Sequence, residues 1–165
     1  MAGDDADLID RLLADWRRER PDLDAAPLAV VGRVLHLAQA LETRANRALK
    51  PVGLAYTDLD LLATLRRSGP PYRLTPTVLR RSVVLTSGAM TACLNRLEAQ
   101  GLVAREPEPG DRRVLAAVLT PQGLALADRA IGLRLEEAAD AVAGLEPAER
   151  EALAGLLRKL GAGLA

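Results

Sequence analysis

Phenylalanine is absent from the 165 residues, and one Trp and two Tyr are the only aromatic side chains. A core built from this chain is therefore aliphatic. Cysteine occurs once, which excludes an intrachain disulfide framework, and histidine occurs once, which leaves too few ligands for a Cys/His zinc site. His36 is accordingly read as an interface residue within a helix, not as a metal ligand. No apolar run approaches the roughly 20 residues of a membrane helix, and no basic, apolar leader precedes the first periodic segment. A cytoplasmic protein with no membrane partner is expected. Also missing are a glycine-rich phosphate loop, a nucleophile with an adjacent base and a His/carboxylate cluster, so no catalytic residue, metal or cofactor is assigned and the chain is not expected to be an enzyme.

Net charge is missing too, with 22 basic against 22 acidic residues. Nucleic-acid binders often carry a basic excess, yet distribution matters more than the total. Acidic residues crowd the start (Asp4, Asp5, Asp7, Asp10, Asp15) and the final third (Glu136, Glu137, Asp140, Glu146, Glu149, Glu151). In the middle the balance reverses: Arg66, Arg67, Arg73, Arg80, Arg81, Arg96, Arg105, Arg112 and Arg113 stand against Glu98, Glu106, Glu108 and Asp111. A neutral chain with a basic centre can hold DNA there and stay soluble elsewhere.

What is present is helical periodicity punctuated by proline and glycine. Residues 6–20 place Leu8, Ile9, Leu12, Leu13 and Trp16 on one face before Pro21. Pro27 opens a longer helix that ends before Pro51, with an apolar stripe wide enough to need partners on more than one side. Helices follow over 56–67 and 75–81, with a turn over 82–85. Thr86 and Ser87 then supply capping oxygens for a helix from Ser87 to Gln100 that Gly101 ends. Leu102, Val103 and Ala104 start a hairpin, Pro107 to Gly110 breaks it, and Val114 to Thr120 resumes it. Long helices begin at Pro121 and Pro147.

The stretch 86–120 carries the function. Met90, Leu94, Leu97 and Cys93 recur at helical spacing and face inward, which turns Thr91, Asn95 and Arg96 outward. Those three types hydrogen-bond base edges or phosphates in a major groove. Asp111, Arg112 and Arg113 are expected at the hairpin tip, where an Asp111 ion pair could aim a guanidinium into a narrow minor groove. The DNA-binding set is thus Thr86, Ser87, Thr91, Asn95, Arg96, Asp111, Arg112 and Arg113.

Two segments, LTSGAMTACLNRLEAQGLV and DRRVLAAVLTPQG, resemble the recognition helix and wing of the multiple-antibiotic-resistance-regulator (MarR) family. The resemblance implies a mainly α fold with a small β-hairpin wing, a winged helix-turn-helix, in a homodimer formed by the N- and C-terminal helices. Three segments are expected: 1–50 with an extra N-terminal helix and the first dimerisation helix, 51–120 as the DNA-binding lobe, and 121–165 as further dimerisation helices. The implied function is a ligand-responsive regulator of transcription, a repressor released from pseudo-palindromic double-stranded DNA by a small-molecule effector.

The segment around Trp16 is similar to the extra helix of a urate-responsive branch. By that resemblance Trp16, Asp60 and Arg105 fall at effector-binding positions, and Cys93 falls where the branch has an arginine. A thiol cannot pair an anion bidentately as arginine does, so urate itself is not expected and the effector stays unidentified. Trp16 can equally be an apolar anchor, Asp60 a surface or cap residue, and Arg105 a structural or phosphate-binding one. Two other readings stay open: redox sensing through Cys93, and a degenerate winged domain that binds protein.

Overall fold

The computed structural model describes residues 6–83 and 87–164, with Ser87 and Arg112 described for the backbone alone. In order come α1 (Leu8–Glu19), α2 (Leu28–Leu49), a 3-10 turn (Lys50–Val52), α3 (Tyr56–Arg67), β1 (Arg73–Leu74), α4 (Pro76–Ser82), α5 (Ser87–Ala99), β2 (Val103–Glu108), β3 (Asp111–Leu119), α6 (Pro121–Ala141) and α7 (Pro147–Ala162). They form two compact units that divide within α2, between residues 44 and 45, so the helix-turn-helix, α6 and α7 share the second unit. No helix of the described residues is long and apolar enough to cross a membrane.

In the first unit, Asp7 caps α1 by accepting the Asp10 backbone N–H at 2.8 Å, and the Asp10 carboxylate accepts the Asp7 N–H at 3.2 Å. This reciprocal pair satisfies two donors that a helix start leaves open. Arg33 of α2 forks onto both carboxylates, to Asp7 at 2.8 Å and Asp10 at 2.7 Å. The backbone N–H of Asp10, more than the guanidinium, holds the Asp7 carboxyl below its ordinary value. Ile9 and Leu13 are the buried residues of α1, and Ile9 lies against Gly32 of α2. The rest of α2 is less covered: Val30, Leu35 and Leu37 stay exposed.

The second unit is built on leucine. Leu49, Leu61, Leu62, Leu65, Leu79 and Leu97 are fully buried, as the lack of Phe requires. Burying each such side chain contributes about 2 kcal/mol. α3, α4 and α5 supply half of this core, and α6 adds Ala127 and Ala130. Thr75 caps α4 and Pro76 occupies its first turn, where a missing N–H costs nothing. The sheet is antiparallel in the order β1-β3-β2.

Two features of the sheet differ from the sequence reading. β1 is a third strand, pairing Arg73 with Val118 and Leu74 with Ala117 in a stretch too short to show any periodicity. The hairpin is also longer than expected, because β2 continues through Pro107 and Glu108 and β3 starts at Asp111. Proline is tolerated there because β2 is an edge strand whose outer N–H groups need no partner. Only residues 109–110 form the turn, so Asp111, Arg112 and Arg113 belong to β3 and not to a free tip. The register shifts between Pro107, opposite Leu115, and Glu108, opposite Asp111, and residues 112–114 are extra on the β3 side. Such a bulge bends a strand and re-aims its side chains.

α5 and α6 meet at a joint. Gly101 ends α5 with φ +70°, the left-handed conformation that glycine adopts without penalty. Thr120 donates its hydroxyl to the Gly101 carbonyl at 2.7 Å and accepts the Gly123 N–H at 3.0 Å, capping α6. Gly123 lies so close to the chain that a Cβ there would stand 1.9 Å from the Leu102 carbonyl oxygen. No side-chain rotation relieves a clash with backbone, so Gly123→Ala is expected to cost more than about 2 kcal/mol in urea unfolding. Wild-type stability in that variant would mean the joint can open.

Candidate nucleic-acid interface

α5 divides into two faces as its sequence implies. Met90, Cys93, Leu94 and Leu97 are buried, while Thr91, Asn95 and Arg96 are exposed. Thr86, and Leu85 before it, lie outside the described residues, as do the side chains of Ser87 and Arg112. The contributions expected of Thr86, Ser87 and Arg112 therefore stand on sequence alone.

α5 is hydrogen-bonded to a residue of α3 that the sequence did not single out, Asp58. The Asp58 side chain is only 5% exposed, at the start of α3. One oxygen, Oδ2, accepts the Ala55 backbone N–H at 3.0 Å. Oδ1 accepts the Cys93 thiol at 3.2 Å and Arg96 Nε at 3.1 Å, with a further bond from Arg96 Nη2. A buried carboxylate needs such donors, because burial without them is strongly unfavourable. In turn, the hydrogen bonds to Asp58 hold Arg96 even more firmly charged than usual. Burial first, and then the bond to Asp58, push the Cys93 thiol up from 9.0 to about 12. At neutral pH it is a protonated donor, the opposite of the thiolate a sensor cysteine exposes.

The wing is also tied to α5. Arg105 of β2 donates to the side-chain oxygen of Asn95 and forms an ion pair with Glu98 at 3.3 Å. Reading adenine uses both halves of an asparagine amide, and in the free protein Arg105 occupies one of them. Across the sheet, Arg73 of β1 pairs with Glu106 and donates to the Pro107 carbonyl at 3.1 Å. Asp111 does not orient a guanidinium through an ion pair with Arg113. Its carboxylate accepts the Arg113 backbone N–H at 3.0 Å, a short-range bond typical of aspartate in turns. Between α4, α5 and the wing lies an open groove of about 460 Å³, bordered by Pro76, Thr77, Thr91, Leu94, Arg105 and Arg113.

Partnering of this kind changes which arginines are available to DNA. Arg66 pairs with Asp128 at 2.7 Å, and Arg67 donates to the Ser82 carbonyl at 2.9 Å. Arg73, Arg96 and Arg105 have the acidic partners just described. Arg80, Arg81 and Arg113 are exposed and form no ion pair among the described residues. Sequence spacing offers no way to separate these groups, since the partners come from distant segments.

The four effector candidates are divided between the two units. Trp16, 46% exposed, belongs to the first unit and borders a shallow apolar groove with Leu23 and Leu28. Asp60, Cys93 and Arg105 belong to the second. Cys93 is buried and faces Asp58, Asp60 is half-buried, and Arg105 alone of the three borders the open groove.

Known proteins match this arrangement. The family model described as "MarR family" matches residues 52–114. The transcriptional regulator PecS of Dickeya dadantii is 31% identical over 152 residues, covering 92% of this chain and 92% of that protein. A MarR family transcriptional regulator from Streptomyces coelicolor, solved in complex with DNA, superposes with a TM-score of 0.77 at 28% identity, over 86% of this chain and 89% of its own. The Bordetella bronchiseptica regulator BpsR, whose DNA binding is regulated by 6-hydroxynicotinic acid, gives a TM-score of 0.72 at 27% identity, over 81% of this chain and 94% of its own. With a buried α5 face, a paired wing and similarity along nearly its whole length, the chain belongs to the MarR family of DNA-binding transcriptional regulators.

Proposed function

We propose that the protein is a homodimeric repressor that places α5 of each copy in successive major grooves of a pseudo-palindromic site and the wing against the flanking minor grooves. The observation that carries this reading is the exposed pair Thr91 and Asn95 on α5, together with exposed arginines on α4 and β3 that form no ion pair among the described residues. Thr91 and Asn95 supply base contacts. Arg80, Arg81 and Arg113, with Arg112 from the sequence reading, supply phosphate and minor-groove contacts that fix register. Thr86 and Ser87 contribute at the start of α5, and Asp111 acts through the backbone of β3.

Dimerisation is supported by apolar surface that the single chain leaves uncovered. α7 buries none of its residues, and Leu153, Leu156 and Leu157 are exposed, Leu156 by 66%. Leu35 of α2 is 67% exposed. A second copy covering these faces gives the two-fold symmetry that a palindromic site matches. Cytoplasmic residence follows from the same function.

Release by a small-molecule effector is the second half of the proposal. The regulation of BpsR by 6-hydroxynicotinic acid supports it, as does a groove that touches both α5 and the wing. An effector that favours the non-binding form by about 1.4 kcal/mol releases DNA tenfold. Arg105, which borders that groove, is the effector contact of the second unit, and Trp16, beside its own apolar groove, is that of the first. The Cys93 thiol, buried and hydrogen-bonded to Asp58, is placed neither to contact an effector nor to react with an oxidant.

Binding to the protein's own upstream DNA, titrated against salt, tests the DNA reading. Four arginines per chain, Arg112 included, give about eight phosphate contacts per dimer, hence a log–log salt slope of about −7. Arg113→Ala should flatten that slope by about 2 and leave the fold intact; an unchanged slope removes the wing from the interface. Leu156→Asp with Leu157→Asp should give monomers in light scattering and abolish operator binding, and a dimer that survives both places the interface elsewhere. For Cys93, alkylation at pH 8 should be at least about 100-fold slower than in the unfolded chain. The folded state holds the thiol proton more tightly, so this group's contribution to stability is complete below pH 9 and declines as pH rises from there toward 12. Cys93→Ala should remove that decline.

A further inference from the structure

Cys93 and Arg96 are three residues apart on α5, and both donate to the same oxygen of Asp58 on α3. One bond between two helices leaves each free to turn about its own axis. Two bonds at i and i+3 onto one fixed atom do not, because that spacing places the donors on one face about a turn apart. Asp58 is itself immobilised, since its other oxygen is bonded to its own helix at Ala55. Thr91 and Asn95 ride on the opposite, exposed side of α5. A rotation of roughly 20° moves a side-chain tip at about 6 Å from the axis by about 2 Å, enough to break a hydrogen bond to a base edge.

We propose that Asp58 is a positioning residue for operator recognition, setting the rotation of α5 through Cys93 and Arg96, and that Arg96 serves as its strut instead of as a phosphate contact. Arg96 commits Nε and Nη2 to Asp58, so reaching DNA with that edge of the fork would leave a carboxylate that is 95% covered without its charged partner. The cost of that exchange keeps the pair closed on DNA. Cys93 suits its position because a small neutral donor fits beneath Arg96 and shares the oxygen without adding a second charge. This inference rests on α5 being the base-reading helix.

The test uses the full chain and a duplex selected by the wild-type protein from a random-sequence library, with a scrambled duplex of equal length as control. Asp58→Asn, Arg96→Gln and the double variant are titrated from about 50 to 200 mM salt. Each single variant should bind the selected duplex about tenfold more weakly and the scrambled one unchanged, with the salt slope preserved. The double variant should be no weaker than the poorer single one, since both remove the same constraint. A slope that falls by about 2 per dimer in Arg96→Gln, beside unaltered binding in Asp58→Asn, makes Arg96 a phosphate contact and overturns the proposal. So does an unchanged preference for the selected duplex in both variants. Should Asp58→Asn fail to fold, Arg96→Gln decides the matter by slope and preference, because its 45% exposed side chain is dispensable to the core. If the wild-type protein selects no sequence, the DNA reading fails along with the inference, whereas selection by the wild type with unaltered variants removes the inference alone.

Discussion

The Asp58 carboxylate is the constraint around which the second unit is arranged. It is nearly buried, so it needs donors, and the donors come from its own helix and from α5. Hydrophobic packing of Leu61, Leu65 and Leu97 holds the helices together, but such packing is non-directional. The charge-assisted bonds from Arg96 add direction, and a charged hydrogen bond is both shorter and about twice as strong as a neutral one. Stability and orientation thus have separate sources in this domain.

Arginine is used here chiefly to connect elements. Arg33 joins α2 to the cap of α1, Arg66 joins α3 to α6, Arg73 joins β1 to the wing, and Arg105 joins the wing to α5. A chain poor in aromatic residues lacks large rigid side chains to span such gaps, and the guanidinium fork fills that role with long reach and several donors. The zero net charge follows the same logic, because many of the cations have acidic partners inside the molecule. Only the remainder shapes the field that DNA meets.

The helices were legible in the sequence because their ends are marked locally. Pro27, Pro76, Pro121 and Pro147 stand at or beside helix starts, Gly101 ends α5, and the inward residues of α5 recur with the expected period. β1 was not legible, since two residues become a strand only by pairing with Val118 and Ala117. The wing was read too short because Pro107 signals a break wherever its place at a sheet edge is unknown. Asp58 and Asp60 present the same difficulty in the site: two carboxylates two residues apart on one helix point roughly 160° apart, and only the packing of α5 shows which is enclosed. The internal partners of Arg66, Arg73 and Arg96 depend on the same long-range contacts.

The joint between Gly101, Thr120 and Gly123 makes α6 a lever attached to α5. Its 21 residues extend about 31 Å from that joint. A tilt of about 10° there sweeps the far end through about 5 Å, more than the spacing of about 3.4 Å between successive base pairs. Read in the other direction, a displacement of an ångström or two at the distal end of α6 becomes only a few degrees at α5. A displacement at the distal end of α6 would thus reach α5 reduced in scale, as a small rotation about the joint.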